Sequence, residues 1–222
     1  MSKYSIFRGE IDERKIVVGT MVILALATSL MVVIPWLLLK GVHPVGSPLL
    51  PYTAEQIRGR QQYVANGCVY CHSQQPRDAK LGPDTARGWG RPSVAADYYY
   101  DSPHLLGTMR TGPDLLNIGA RQPSRDWQLG HLYQPRAYTP GSIMPAYPFL
   151  FEERRKENVG PNDVIVSLPP QFDKGSLIVA RREALDLVAY LLSLDRTYPV
   201  IKRPEPVALE AASKAAEKEP TK

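Results

Sequence analysis

The chain has 222 residues, 44% of them apolar, and a formal net charge of +5. This length allows one domain of ordinary size plus appendages. The basic residues are spread along the chain instead of alternating with aromatic residues in one run, which excludes a nucleic-acid-binding surface. Two cysteines, Cys68 and Cys71, are too few for a scaffold stapled by disulfides.

The first predicted element is a transmembrane helix over residues 16–39. This segment runs without a charge for longer than the roughly 20 residues that cross the hydrocarbon core of a bilayer. It is also longer than the apolar region of a cleaved signal peptide, and no small-x-small cleavage site follows it. Basic residues are concentrated in residues 1–15, whereas only Lys40 follows closely, so the positive-inside rule predicts a cytoplasmic N-terminus.

Residues 40–53 form a Gly/Pro-rich linker that leads into a predicted domain over residues 54–198. Its first helix is expected over residues 54–66, with Thr53 as N-cap and Gly67 at its end. The apolar or aromatic positions Ile57, Tyr63 and Val64 recur in it at helical spacing.

A second helix is expected over residues 182–194, packed against the first. Its predicted apolar face consists of Leu185, Val188, Ala189 and Leu192. Turns are predicted between the two helices, and residues 199–222 have the composition of a disordered tail.

Cys68-Val69-Tyr70-Cys71-His72 is a C-x-x-C-H sequence, which is typical of covalent haem attachment. The two thiols, one helical turn apart, add to neighbouring edges of the porphyrin, and the adjacent imidazole reaches the iron. Two other uses of the cysteines are weaker. Structural zinc would require two more ligands at suitable spacing, and a thioredoxin-like pair would follow a strand in a βαβ unit. The sequence therefore predicts one haem c, bound through Cys68 and Cys71, with His72 as an axial ligand.

Met144 is the predicted sixth ligand of the iron. It lies between Pro140 and Pro145 in a stiff loop, and a neutral thioether favours ferrous iron and raises the reduction potential. Three rivals are Met109, His104 and His131, of which the histidines are expected to be surface or pocket residues.

The turn at residues 110–115, Arg-Thr-Gly-Pro-Asp-Leu, is expected to lie against the proximal face of the haem, where Pro113 is a candidate pocket residue. A backbone carbonyl of this turn would accept a hydrogen bond from His72 and orient its ring. Guanidinium groups match carboxylates, so three arginines are candidate partners of the haem propionates: Arg110, Arg121 and Arg136. Trp89 is a candidate wall of the haem pocket.

The order of four motifs resembles a known family. They are the haem motif, the turn at 110–115, the H-x-x-x-P-R segment at 131–136 and the Ser-Ile-Met-Pro-Ala-Tyr-Pro loop at 142–148. The chain resembles the mono-haem cytochrome c subunit, subunit II, of cbb3-type cytochrome c oxidases. The resemblance extends from the N-terminal anchor to about Leu150, and residues 149–182 do not align with it.

This resemblance implies a mainly α fold, in which the single N-terminal transmembrane helix precedes a class I cytochrome c domain with long ordered loops. It implies His72 and Met144 as axial ligands. The implied function is electron delivery to a haem-copper catalytic subunit that reduces oxygen. The chain would not be an enzyme on its own and would have no catalytic residue.

The expected partners are the catalytic subunit, other oxidase subunits and a donor cytochrome c. The expected location is a bacterial cytoplasmic membrane, crossed once, with the haem domain on the periplasmic side.

Three alternatives remain open at the level of sequence. The chain could be the cytochrome subunit of a nitric oxide reductase, which is built from similar parts. It could be an independent membrane-tethered electron carrier. A haem-based sensor is a third reading, for which no signalling domain is evident.

Overall fold

The computed structural model describes residues 13–39, 48–81, 84–173 and 175–199. The chain divides between Val45 and Gly46 into two units. The predictions for residues 1–12, for residues 40–47 of the linker and for residues 200–222 of the tail concern parts of the chain outside those described.

The first unit contains an apolar helical segment in three parts: α1 (Glu13–Thr28), a π-helical turn (Ser29–Val33) and α2 (Ile34–Leu39). The 26 residues from Glu13 to Leu38 are long and apolar enough to cross a membrane. Most of the large apolar side chains here are exposed, as they must be where lipid covers a helix. The segment agrees with the predicted span and begins three residues before it.

Pro35 accounts for the π-helical turn in this segment. Proline has no N–H to donate, and its ring crowds the carbonyl four residues earlier, which here belongs to Met31. Met31 lies inside the π-helical turn. A widened turn relieves this crowding while the helix continues.

The regular structure of the second unit is mainly helical, and a long loop region separates its second and third helices. Its helices are α3 (Ala54–Ala65), α4 (Cys68–Cys71), α5 (Ile118–Arg121), α6 (Arg125–Tyr133), α7 (Pro135–Tyr138) and α8 (Arg182–Ser193). Short 3-10 turns occur at Ala95–Tyr98, Pro148–Leu150, Lys156–Asn158 and Pro170–Phe172.

Thr53 caps α3, as the sequence predicts. Its hydroxyl accepts a hydrogen bond from the backbone N–H of Gln56 at 3.3 Å, and the Gln56 side chain accepts one from the Thr53 N–H at 2.9 Å. This reciprocal pair satisfies two donors that the first helical turn leaves free. Gly67 follows the helix at a φ of 71°, a conformation that glycine adopts without strain, and it begins α4.

α3 packs on α8 through Gly59. A Cβ at Gly59 would lie 1.9 Å from the carbonyl oxygen of Asp186 and 2.8 Å from the Cβ of Tyr190. Tyr63, one turn later, is fully buried with its ring edge-on to Tyr190 at a centroid distance of 5.6 Å. The two helices therefore approach each other backbone to backbone.

The predicted packing of these two helices is confirmed, but their predicted faces are partly wrong. Ile57 and Val64 are 47% and 43% exposed, so they do not belong to the contact. The buried positions of α8 are Ala184, Asp186, Leu187, Val188, Tyr190 and Leu191. Of the predicted face, Val188 is among them, and Leu185 and Leu192 are partly buried against the core. The apolar pattern misses the contact because a small residue, Gly59, decides where the helices come closest.

Asp186 is a buried carboxylate with two arginine partners. Arg58 donates to it from Nε at 2.7 Å and from Nη2 at 3.0 Å, and Arg182 donates from Nε at 3.0 Å. The hydrogen bond from Arg58 is the main cause that holds the pKa of Asp186 below its ordinary value. The pairing compensates the loss of solvent around a charge at the helix crossing.

A small antiparallel sheet lies in the part of the chain for which the sequence predicts mainly turns. Its strands are β1 (Phe151–Arg154), β2 (Ile165–Val166) and β3 (Leu177–Ala180), in the order β1-β3-β2. Phe151 pairs with Ala180, and Val166 pairs with Ile178. Strands of two to four residues are too short to show an alternating pattern, which explains why they were missed.

The core of the second unit lies between α3, α6, α8 and this sheet. Its buried apolar members include Tyr63, Leu129, Leu132, Val166, Ile178, Leu187, Val188 and Leu191. The haem motif lies at the edge of this core, because Cys68 belongs to the same cluster.

Replacing Gly59 with alanine should lower the free energy of unfolding by about 1–3 kcal/mol, because the methyl group must force the helices apart. This loss is expected although alanine favours a helix over glycine by about 1 kcal/mol. Denaturant unfolding of the haem-loaded protein, followed by circular dichroism, measures the change. Gln61→Ala, at an exposed position of α3, is the matched control and should stay within about 0.5 kcal/mol. Equal stability of the two variants would contradict the close approach.

Candidate haem site

Cys68 and Cys71 lie at the two ends of α4, which is a single helical turn. Residues three apart in a helix lie on neighbouring parts of one face. Both thiols are free, with Cys68 buried and Cys71 exposed. The two thiols are therefore placed to bind one group that packs against this helical turn. The edge of the group at Cys68 would be buried, and its edge at Cys71 would be exposed.

His72 follows α4, and the turn at residues 110–115 fixes its ring. Its Nδ1 donates a hydrogen bond to the carbonyl oxygen of Pro113 at 2.7 Å, so the bond to this turn expected from the sequence is present. The ring lies against Gly112, where a Cβ would come within 2.2 Å of the imidazole Cε1. Because Nδ1 carries the proton, the lone pair is on Nε2. The imidazole is thus prepared to bind a metal through Nε2.

Three hydrogen bonds hold the neighbourhood of His72 in place. The Gly112 N–H donates to the Cys71 carbonyl at 3.0 Å, the Ser73 hydroxyl donates to the Gly107 carbonyl at 2.7 Å, and the Tyr63 hydroxyl donates to the His72 carbonyl. Burial lowers the pKa of His72, which leaves the ring neutral at pH 7. A neutral imidazole is the form that coordinates iron.

Met144 lies half-buried against the core, in the loop after α7. Gly141 turns the chain with a φ of 77°, and the Ser142 hydroxyl accepts a hydrogen bond from the Met144 N–H at 3.2 Å. The loop returns to α6, where the Tyr147 N–H donates to the Leu132 carbonyl at 3.0 Å. Met144 is therefore held in an ordered loop.

Tyr147 connects the Met144 loop to the haem motif. Its side chain lies near the Cys68 thiol, and the two groups shift each other's pKa. Burial raises the pKa of this thiol to about 11, so it is protonated at pH 7. This proximity brings the loop of the predicted sixth ligand next to the cysteine pair, although some 75 residues separate them in the chain.

The family model described as cytochrome c oxidase, mono-heme subunit/FixO matches residues 9–168 of the chain. The chain belongs to this FixO family. No curated protein matches it. The match includes α1, the haem motif, the turn at residues 110–115 and the Met144 loop, in agreement with the resemblance seen in the motifs. It also extends through residues 149–168, so the expectation that the resemblance ends at about Leu150 is wrong. The protein is thus a mono-haem subunit of a cytochrome c oxidase, with an apolar N-terminal helix that suits a membrane location.

The residues around α4 fit the single haem of a FixO subunit. Gly112 leaves the space that the His72 ring occupies. Arg110 Nε and His131 Nδ1 are buried without a hydrogen-bond partner among the described residues. Both residues lie near His72: the charge of Arg110 lowers the pKa of His72, and the charge of His72 lowers the pKa of His131. Buried polar atoms without partners are rare in native proteins, and they indicate that a further group belongs beside them.

The three rivals of Met144 differ in solvent exposure. Met109 is 60% exposed, and its carbonyl is bound by Ser73, next to His72. His104 is exposed as well. His131 is half-buried and lies on α6.

His131 forms part of an aromatic cluster. Its ring stacks on Trp127 at a centroid distance of 4.6 Å and an interplanar angle of 9°, and Tyr138 meets both rings edge-on. Burial, followed by the charges of His72 and Arg121, lowers the pKa of His131 to about 4. It is therefore a neutral, half-buried histidine within electrostatic range of His72.

The remaining candidate pocket residues have different surroundings. Arg110 is buried and donates to Asp114 and, at 2.8 Å, to the Gln75 carbonyl. Arg136 is exposed on α7. Trp89 is half-buried, with the Arg121 guanidinium 4.2 Å from its ring centroid.

Sequence reasoning missed three residues that build the site. In the sequence, Gly112 is only a turn position, Tyr63 only a position on a helix face, and Tyr147 only a residue of the loop at 142–148. The spacing of residues in the chain gives no sign of these contacts, because each joins segments that are distant in sequence.

Gly112→Ala should displace the His72 ring and break its hydrogen bond to Pro113, since the new methyl group would occupy the position of the imidazole. We expect less haem per chain and an altered Soret spectrum, as measured by absorbance of the purified protein. Gly160→Ala is a matched control, because a Cβ at Gly160 meets only the Asp163 side chain at 3.7 Å. Wild-type haem content and spectrum in the Gly112 variant would show that the ring does not depend on this contact.

Proposed function

We propose that this chain is the electron-transfer subunit of a cbb3-type haem-copper terminal oxidase in aerobic respiration. In this proposal, residues 54–198 are a class I cytochrome c domain that carries one covalently attached haem c. The domain is anchored to a bacterial cytoplasmic membrane by residues 16–39 and faces the periplasm. The chain has no catalytic residue of its own and passes electrons from a donor cytochrome c to the catalytic subunit.

The observation that carries this proposal is the His72–Pro113 hydrogen bond beside two free thiols. It leaves Nε2 of a neutral imidazole available next to Cys68 and Cys71. This is the donor set that a haem c requires on its proximal side. The FixO match adds that one haem belongs to the protein.

Each residue of the site has a distinct task in this function. Cys68 and Cys71 would hold the porphyrin covalently, and His72 and Met144 would supply the protein ligands of its iron. When bound, the haem supplies a centre that accepts and releases one electron. The Pro113 carbonyl orients the His72 ring through its hydrogen bond to Nδ1. A ring held in this way would need little rearrangement when the iron gains or loses an electron.

The distribution of charge along the chain supports the proposed orientation in the membrane. Basic residues concentrate before the apolar segment, while Lys40 alone follows it closely. Loops rich in Lys and Arg remain in the cytoplasm. The haem domain then lies on the opposite side, where a periplasmic donor can reach it.

Met144→Ala should keep the haem but lower its reduction potential and open one coordination position, because the neutral thioether favours ferrous iron. Redox titration and the absorption spectrum with and without carbon monoxide measure both effects. Ile143→Ala is the matched control, since Ile143 is 75% exposed in the same loop. A Met144 variant with the wild-type potential and spectrum would reject Met144 as the ligand.

The composition of the native complex tests the function as a whole. The tagged full-length chain, purified in mild detergent, should bring with it b-type haem and copper, and the complex should consume oxygen. Haem staining of the chain on a denaturing gel should show covalent attachment.

Other outcomes of this experiment support the competing functions. Consumption of nitric oxide instead of oxygen would make the chain a subunit of a nitric oxide reductase. Recovery of the chain alone, without b-type haem or copper, would make it an independent carrier. An unstained chain would overturn the haem c assignment itself.

A further inference from the structure

Asp84 is a half-buried carboxylate that binds the turn at residues 110–115 from a distant loop. Its Oδ1 accepts a hydrogen bond at 3.1 Å from the backbone N–H of Asp114, which lies 30 residues later in the chain. The Asp84 side chain is 19% exposed, so most of it is withdrawn from water. The turn that orients His72 is therefore itself bound by an acidic side chain.

The Asp114 N–H and the Pro113 carbonyl belong to one peptide group. This peptide bond is trans, so its C=O and N–H point in opposite directions. His72 Nδ1 donates to the carbonyl at 2.7 Å, and Asp84 accepts from the N–H. The peptide group is thus held between the imidazole on one side and a carboxylate on the other.

The direction of these hydrogen bonds carries the influence of the Asp84 charge to the His72 ring. A carboxylate that accepts from the amide N–H draws electron density in that peptide group toward its carbonyl oxygen, since linked hydrogen bonds polarise one another. A more negative carbonyl oxygen accepts more strongly from Nδ1–H. A stronger acceptor at Nδ1 makes the imidazole a more basic ligand at its other nitrogen, Nε2.

Backbone hydrogen bonds order the loop that carries Asp84. The Trp89 N–H donates to the Asp84 carbonyl at 3.0 Å, and the Gly88 N–H donates to the Thr85 carbonyl at 3.0 Å. The side chain of Asn117, the residue before α5, donates to the Trp89 carbonyl at 3.4 Å. The loop is therefore attached to the segment that follows the proximal turn, which holds Asp84 in place beside this turn.

Arg110 neutralises the charge of Asp84 less than that of Asp114. It donates to the Asp114 side chain and, at 2.8 Å, to the Gln75 carbonyl. Its Nη1 lies 3.9 Å from Asp84 Oδ2, which is too long for a hydrogen bond. Two carboxylates thus share one guanidinium group, and Asp84 remains a strong acceptor for the Asp114 N–H.

We propose that Asp84 is a positioning residue that tunes the reduction potential of the haem through the Pro113–Asp114 peptide group and His72. The inference rests on the proposed function, because it requires a haem iron bound by His72. A more basic imidazole gives more electron density to the iron and stabilises the ferric state. Asp84 therefore lowers the potential, in the opposite direction to a thioether ligand.

The test compares Asp84→Ala with Asp84→Asn in the haem-loaded full-length protein. Both substitutions remove the negative charge, but asparagine keeps an oxygen that can accept from the Asp114 N–H. Redox titration should show a higher potential in both variants. The rise should be larger in Asp84→Ala, because only this variant leaves the N–H without its acceptor.

A second measurement follows the His72 ring directly. In the ferrous, diamagnetic protein with isotope-labelled histidine nitrogens, NMR detects the Nδ1–H proton. Its resonance should move upfield in both variants, and further in Asp84→Ala, because a weaker carbonyl acceptor deshields the proton less. If Asp84→Ala does not accumulate with haem, Asp84→Asn carries the test by this shift.

Asp78→Asn is the matched control. Asp78 is exposed in the same loop region, and its Oδ1 also accepts a backbone N–H, that of Lys80 at 2.8 Å. The substitution removes the same charge without changing the acceptor of the Asp114 N–H. Its potential and its Nδ1–H resonance should equal those of the wild type.

A wild-type Nδ1–H resonance in the Asp84 variants would overturn the inference. Equal potentials in Asp84→Ala and Asp84→Asn would overturn it as well, because they would show that Asp84 acts by its charge alone. Haem staining of every preparation separates these failures from a failure of the proposed function. A wild-type chain without covalent haem rejects the function, whereas haem-loaded variants with either of these results reject only the role of Asp84.

Discussion

The hydrogen bond between His72 Nδ1 and the Pro113 carbonyl is the interaction on which the site depends. It joins the short helix α4 to a turn about 40 residues further along the chain, and it decides which imidazole nitrogen faces the space beside the thiols. A carbonyl can only accept, so the tautomer follows from the backbone and needs no charged partner. Tyr63 supports the same histidine from behind through its carbonyl, and Tyr63 is in turn packed on Tyr190. The orientation of one ring is therefore fixed by the crossing of α3 and α8.

Loops make up much of the haem domain, and buried or half-buried arginines hold them. Arg91 donates to both carboxylate oxygens of Asp97, at 2.6 and 2.8 Å, and Arg196 is 3% exposed and donates to the Asp97 carbonyl. Arg60 binds Asp101 at 2.8 Å. The Arg91 pair holds the segment between α4 and α5 within itself. The Arg60 bond ties this segment to α3, and the Arg196 bond ties it to the residues that follow α8. An arginine has five donors, so one side chain can satisfy several loop carbonyls that no helix or sheet would satisfy. Such a framework lets a domain with few long helices keep ordered walls around a cofactor.

The FixO match ends at residue 168, but the folded domain does not. Strand β3 and helix α8 come later in the chain, and they supply Ile178, Leu187, Val188 and Leu191 to the core. α8 also provides the surface on which Gly59 and Tyr63 pack. The segment beyond the match is therefore part of the support of the haem motif. In the sheet order β1-β3-β2, β1 and β2 lie within the match, and each pairs with β3, which lies beyond it.

The sequence by itself determined the features that depend on neighbouring residues. These are the apolar segment long enough for a membrane, the Thr53 cap of α3, the placement of two thiols and an imidazole around one helical turn, and the family. Each is encoded by hydrophobic length, by capping chemistry or by spacing over a few residues. The tertiary structure alone decided that Gly59 is the closest point between α3 and α8, that Tyr147 lies near Cys68, and that Arg121 lies on Trp89. These contacts join residues that are far apart in the chain. They depend on which small or polar side chains the path of the backbone brings together, and the periodicity of apolar residues does not contain this information.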